Sequence, residues 1–293
     1  MNQSIECKNI TKKYGEKSVL NNINFTLEKG KIYGLIGRNG AGKTTLLSIM
    51  SAQNPASNGE VLVEGESVWE NQKALDKICF SRELNMAPNN GNGLVAMKIK
   101  NYLRLAAAYY KNWDQDMANK LVEKFELDPK KKLGEISKGM LSMVTIIVAM
   151  ASKADYTFLD EPVAGLDVIM RKYFYDILLQ EYEETGRTFV ISTHIIEEAA
   201  NIFEEVIMID KGELLLMTNT AELVDSARHV SGKSEDVDAA CKGIKTYNPE
   251  IIGRSKGVTV FLKDNEKIDS SIDVSIQPVS LQDIFVALCQ EEV

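Results

Sequence analysis

The 293-residue sequence predicts an α/β protein with a parallel-sheet core, an antiparallel β subdomain ahead of it, a helical subdomain inserted into it, and a small α+β C-terminal domain. Three observations carry this reading. An apolar strand, a glycine-rich loop and a helix follow one another through residues 31–50. A strand, a helix and a second strand run through 156–192, an order that implies parallel pairing with a crossover. The texture changes to helical spacing over 94–152 and to short alternating strands after Thr220.

Composition bounds the answer. With 44% hydrophobic residues the chain buries a substantial core, and its net charge of −8 and pI near 5.1 argue against a nucleic-acid partner, which needs clustered Lys and Arg facing phosphates. The four cysteines, Cys7, Cys79, Cys241 and Cys289, show no Cys-x-x-Cys spacing, and His194 and His229 are the only histidines. Reduced thiols and no zinc cluster are expected. The longest uncharged apolar-rich run, residues 139–152, is shorter than the roughly 20 residues of a membrane-spanning helix. The first 14 residues carry Glu6 and no apolar signal core, so a cytoplasmic location is expected.

Along the chain, Ile23, Phe25 and Leu27 alternate on one side of a strand that ends at Lys29-Gly30. Further short strands fit 60–63 and 77–81. Helical spacing at Leu103, Ala106, Ala107 and Tyr110, then at Met117, Leu121, Val122 and Phe125, marks the helical subdomain at about 88–152. A helix from Val168 to about Glu184 carries Ile169, Met170, Tyr173, Phe174, Ile177 and Leu178 as its buried stripe, with Gly186 as its C-cap. The polar, turn-rich stretch 226–234 marks a boundary near Ala227, dividing the chain into 1–226 and 227–293. A final helix covers about 281–288.

The sharpest motif is Gly37-Arg38-Asn39-Gly40-Ala41-Gly42-Lys43-Thr44-Thr45, a full match to G-x-x-x-x-G-K-[ST] between a strand and a helix. Its glycines let backbone N–H groups turn inward, and the helix adds its partial positive N-terminus, so the loop suits a di- or triphosphate. Lys43 would reach the β- and γ-phosphates, and the Thr44 hydroxyl would bind Mg²⁺. Downstream, an apolar strand leads into Asp160-Glu161-Pro162, two carboxylates at a strand's C-terminal end. Asp160 would hold Mg²⁺ and Glu161 would act as general base, unless this triplet only caps the next helix. His194 ends a third strand and would contact the γ-phosphate and water; a lone packing histidine is the plainer alternative.

Together these residues resemble the ATP-binding subunit of ABC transporters, over roughly residues 4–225. The P-loop NTPase core of that family, an ATP hydrolase using Mg²⁺, is what the resemblance implies. Gly37 to Thr45 match its Walker A motif, residues 156–161 Walker B, Ala164-Gly165-Leu166-Asp167 the D-loop and His194 the switch histidine. Tyr14 resembles the aromatic that stacks on adenine, although a strand-edge tyrosine that only packs reads equally well. The signature, usually Leu-Ser-Gly-Gly-Gln, stands here as Ile136-Ser137-Lys138-Gly139-Met140. Ser137 and Gly139 retain the contact to a γ-phosphate, which the family makes in trans across a head-to-tail dimer. Glu83 occupies the position of the Q-loop glutamine, where it would face Mg²⁺ and water or serve as a solvated loop acid.

The resemblance further implies a separate transmembrane permease as partner, a second copy or related ATPase subunit, and peripheral attachment to the inner face of the membrane. The tail 227–293, with eight Lys/Arg against eleven Asp/Glu, is similar to the C-terminal domain of bacterial drug- and peptide-exporter ATPases. An exporter is therefore expected. A soluble ABC ATPase is the alternative, and a P-loop kinase or GTPase a more distant one. The chain has no Asn-Lys-x-Asp guanine reader and only seven arginines for a kinase lid.

Overall fold

Alternation of apolar residues builds two long N-terminal strands, β1 (Ser4–Tyr14) and β2 (Lys17–Glu28), joined by a tight hairpin and paired antiparallel. The computed structural model describes residues 3–86, 93–263, 266–269 and 271–290. The strand β3 (Ile32–Gly37) and the helix α1 (Lys43–Met50) flank the glycine-rich loop. Strands β4 (Asn58–Val63) and β5 (Glu66–Ser67) extend the antiparallel sheet in the order β2-β1-β4-β5. The short helix α2 (Gln72–Leu75) and strand β6 (Ile78–Ser81) follow.

Two amphipathic helices, α3 (Ile99–Tyr109) and α4 (Gln115–Lys124), then lead to the 14-residue α5 (Lys138–Ala151). The expected start of the helical subdomain, at 88–92, lies outside the described residues. Every residue of α5 from Leu141 to Ala151 is buried except Met143, so the apolar run 139–152 is an interior helix. Among the described residues no helix is long and apolar enough to cross a membrane.

The chain returns through β7 (Tyr156–Asp160), α6 (Val168–Thr185), β8 (Thr188–Thr193), α7 (Ile196–Ala199), β9 (Glu205–Asp210) and β10 (Glu213–Asn219). The central sheet has the order β10-β9-β3-β8-β7-β6, parallel throughout except for the edge strand β10. Period-two alternation splits its side chains between two cores. Tyr33, Leu35, Tyr156, Phe158 and Val190 face the antiparallel sheet and α1. Ile32, Ile36, Leu159, Phe189 and Ile191 face α5 and α6.

Two details depart from the sequence reading. Ile169 was assigned to the buried stripe of α6, yet it is 75% exposed and Val168 is 72% exposed. Phe174, Tyr175, Ile177, Leu178 and Glu181 are the residues α6 buries, so its inward face begins one turn later. The stretch 226–234 is polar but not turn-rich. After α8 (Thr220–Ser226), residues Ala227–Lys233 form β11, flanked on both sides in a sheet of order β12-β13-β11-β14. Its polar composition is tolerated because β13 (Ser255–Phe261) and β14 (Ser275–Pro278) satisfy its backbone, while Ala227 and Val230 are buried.

That sheet, with β12 (Thr246–Ile252), packs α9 (Ser234–Ala240) over a small core of Val230, Val237, Cys241, Val258 and Val260. The last helix, α10 (Leu281–Cys289), turns back. Its Leu281, Ile284 and Phe285 join the same core as Leu159, Leu166 and Ile196 of the parallel-sheet body.

Candidate functional site

The sheet order places the ends of β3, β8 and β7 side by side, with Ile36 opposite Thr193 and Asp160 opposite Ser192. Ligands of open parallel sheets collect at this C-terminal edge. Gly40 and Gly42 turn the loop with positive φ of 82° and 108°. At Gly42 a Cβ would stand 2.6 Å from the Leu20 side chain and 3.0 Å from the Val19 carbonyl, so only glycine fits. An open cavity of about 320 Å³ results, lined by Lys17, Val19, Asn39, Gly40, Gly42, Lys43, Thr44, Thr45 and Glu161.

Lys43 is almost fully buried, and its Nζ donates to the Gly37 carbonyl at 2.6 Å and the Arg38 carbonyl at 3.4 Å. Glu161 Oε1 lies 3.9 Å away. Burial pushes the Lys43 ammonium below its ordinary pKa, with Glu161 and Asp160 opposing that shift. Such an ammonium, held by loop carbonyls at the cavity wall, is poised to exchange them for phosphate oxygens.

Asp160 accepts two hydroxyl donors, Thr44 Oγ1 on one carboxylate oxygen at 2.6 Å and Ser192 Oγ on the other at 2.5 Å. Thr44 and Asp160 present hard oxygen donors at one point, a set that suits Mg²⁺. Among the described residues no group of three or more His, Cys, Asp or Glu gathers as a metal cage. A cation here would therefore take its other ligands from phosphate and water.

Glu161 follows at φ 50°, a left-handed conformation uncommon for a side-chain-bearing residue. Its N–H donates to the Ser192 carbonyl at 3.1 Å, which holds the strained turn. The carboxylate Oε2 then meets His194 Nδ1 at 2.7 Å, with His194 half-exposed. Asp160 and Glu161 cap no helix, since the cap of α6 is Asp167, whose side chain accepts from the Met170 N–H at 2.9 Å.

Other anticipated residues lie outside the cavity lining. Ser137 caps α5, its hydroxyl accepting from the Met140 N–H at 3.2 Å. Gly139 touches the loop before α6 so closely that a Cβ would stand 2.6 Å from the Gly165 carbonyl, and Ser142 Oγ donates to the Ala164 carbonyl at 2.7 Å. Glu83 is not among the residues lining the cavity; its carboxylate pairs with Lys138 at 3.1 Å. Tyr14 ends β1, half-exposed, opposite Lys17 in the hairpin register. Arg38 and Ala41 belong to the loop itself; Ala41 is buried.

Sequence reasoning missed Lys17, Val19 and Ser192. Ser192 had a signal, as a polar residue at the end of the apolar strand β8. Lys17 had none, because an exposed hairpin lysine is ordinary.

The family model described as ABC transporter matches residues 20–164. The chain is 33% identical over 226 residues to the bacitracin transport ATP-binding protein BcrA of Enterococcus faecalis, covering 76% of this chain and 71% of that one. It is 24% identical over 289 residues to the ABC transporter ATP-binding protein YtrB of Bacillus subtilis, covering 97% of both. Relatives named for export and for import both match at 28% identity. Among solved structures, a dimeric bacterial ABC transporter cassette superposes with a TM-score of 0.63 at 24% identity, over 74% of this chain and 98% of that one.

Proposed function

The chain belongs to the ABC transporter ATP-binding proteins, and on that premise we propose that two cassettes pair head to tail around ATP and drive a separate transmembrane permease in export. The family hydrolyses ATP, so the kinase and GTPase readings fall away. The observation that carries the proposal is the convergence of Lys43 with Thr44, Asp160 with Glu161, and His194 on three adjacent strand ends.

In this reading the loop N–H groups and Lys43 bind the β- and γ-phosphates, and Tyr14 receives the adenine. Thr44 and Asp160 hold the site of Mg²⁺, which when bound neutralises charge on the transferring phosphoryl group. Glu161 takes a proton from the attacking water, and His194 orients that carboxylate and reaches toward the γ-phosphate. Ser137 and Gly139 serve the partner's nucleotide. The exposed Val168 and Ile169, beside Asp167, offer the second cassette an apolar patch. Export is favoured by the likeness of 227–293 to exporter tails and by the relative named for Nod factor export. Residues 1–226 are taken as the ATPase unit and 227–293 as an accessory unit. The permease would hold the cassette at the inner face of the membrane.

Complementation tests the dimer. Lys43→Ala and Ser137→Ala are each expected to be inactive. Mixed dimers carry one composite site with intact Lys43 and Ser137, so a one-to-one mixture should recover about a quarter of wild-type turnover. No recovery in verified mixed dimers would overturn the trans arrangement. The permease is tested by purification from detergent-solubilised membranes, where a polytopic membrane protein should co-purify and stimulate ATP hydrolysis. Wild-type turnover indifferent to any membrane fraction would favour the soluble alternative.

A further inference from the structure

Outside the phosphate cavity, a polar chain converges on Tyr14. Lys12 and Tyr14 lie two residues apart on β1 and share a face of the strand. Lys12 is only 7% exposed, and its Nζ stands 4.9 Å from the centroid of the Tyr14 ring. The same ammonium donates to Asn54 Oδ1 at 2.8 Å and to the Pro55 carbonyl at 2.6 Å. Asn54 Nδ2 in turn donates to the Tyr14 phenolic oxygen at 2.5 Å.

The direction of this chain follows from chemistry. An ammonium has donors only, so the oxygen of the Asn54 amide must face Lys12 and its NH₂ must face Tyr14. Asn54 is itself fixed, since its backbone N–H donates to the Ser48 carbonyl at 3.1 Å, within the helix that begins at Lys43. The Tyr14 ring is therefore tied by its edge to the helix of the phosphate loop and covered on one face by a cation. Its strand partner Lys17 lines the phosphate cavity.

A buried lysine is uncommon because withdrawing its charge from water is costly. An exposed tyrosine at a hairpin end needs no such support to pack. We propose that Lys12 and Asn54 are positioning residues that hold Tyr14 as a one-faced platform for the adenine base of ATP. Lys12 covers one face of the ring and the base stacks on the other. This rests on the reading of Tyr14 as the adenine contact. The cation also polarises the ring, which favours an electron-rich purine on the opposite face. Because the frame runs from the platform to α1, base and phosphates are held at a fixed separation.

The test compares equilibrium binding of ATP with that of tripolyphosphate, which has the phosphates and no base. Asn54→Ala and Lys12→Met should each weaken ATP binding roughly three- to tenfold, a modest net hydrogen-bond contribution because both act through Tyr14, and leave tripolyphosphate within about twofold. Lys12→Arg, which retains the donors, should recover most of the loss. Adding Asn54→Ala to Tyr14→Ala should weaken ATP no further than Tyr14→Ala alone. Equal losses for ATP and tripolyphosphate would mean that Lys12 and Asn54 only hold the fold, which overturns the proposal. Unchanged ATP affinity in Asn54→Ala and Lys12→Met, with a loss in Tyr14→Ala, overturns the positioning role and leaves the platform. Full ATP affinity in Tyr14→Ala removes the platform and the proposal together.

Discussion

Replacing Glu161 by Gln isolates the proposed base, because the amide keeps the volume of the carboxylate and removes its charge and basicity. Two contacts set the expected size. The carboxylate oxygen at 2.7 Å from His194 Nδ1 retains a hydrogen-bonding counterpart in the amide, so the geometry should survive. The second oxygen, 3.9 Å from Lys43 Nζ, is an attraction worth about 4 kcal/mol at an effective dielectric of 20. Glu161 is a quarter exposed, and solvent screening cuts that to roughly 1 kcal/mol. Losing it frees Lys43 for the triphosphate and removes a negative charge from the cavity wall. ATP affinity should therefore hold or rise a few-fold, while turnover falls by roughly 10² to 10⁴, the usual contribution of a general base. Phosphate release under single-turnover conditions, paired with equilibrium ATP binding, separates the two effects. Turnover within tenfold of wild type, or loss of ATP binding along with turnover, would refute the assignment of Glu161.

Lys43→Met should abolish the ATP-induced rise in melting temperature without lowering that of the nucleotide-free protein. Burial depresses the Lys43 pKa, so its charge opposes folding at every pH below the lowered value, and this cost fades only as pH rises from there toward the unfolded value. Methionine removes it at neutral pH; a melting temperature many degrees lower would contradict this. Arg187→Met should cost about 3–5 kcal/mol in urea denaturation, because Arg187 bonds the carbonyls of Ala149, Met150 and Ala154, the Thr157 hydroxyl and the fully buried Glu181. A change under about 1 kcal/mol would show that Lys153 alone satisfies Glu181. Gly139→Val should displace the loop around Gly165 and suppress hydrolysis while leaving ATP binding to the monomer intact, since its Cβ would stand 2.6 Å from the Gly165 carbonyl. Wild-type hydrolysis in that variant would mean the loop moves without consequence.

The phosphate loop and its partner strands were legible because each feature is local. A fully apolar strand, glycines at the turn and a helix starting at Lys43 occupy one continuous stretch, and β7 and β8 end in polar residues after apolar runs. Ile169 was misread because an apolar residue at helical spacing announces a buried face without saying what buries it. The strand β11 was missed because Arg228, His229, Ser231 and Lys233 carry no local strand signal; its partners lie tens of residues away. The destination of α10 was equally hidden. Its amphipathic stripe shows that Leu281, Ile284 and Phe285 are covered, and only tertiary packing reveals that the parallel-sheet body covers them. The tail thereby shares a core with α7, the helix that follows His194.

Two of the departures from the family pattern, Glu83 and Lys138, explain each other once their 3.1 Å contact is known. Lys138 is the first residue of α5, where the helix macrodipole already presents partial positive charge, and an ammonium there is unfavourable alone. Glu83, arriving from the loop after β6, supplies the opposing charge. Both side chains are 55% exposed, so the pair adds at most about 1 kcal/mol and its weight is geometric rather than energetic. It fastens the loop leaving the central sheet to the start of α5, whose Gly139 rests on Gly165. A glutamine and a glycine at these positions would leave that link unmade. If the pair acts as one unit, Glu83→Gln and Lys138→Met should shift ATP turnover non-additively, and the effect of either should shrink at high salt. Strictly additive, salt-independent effects would mean that each residue acts alone, Glu83 at the nucleotide and Lys138 on the helix.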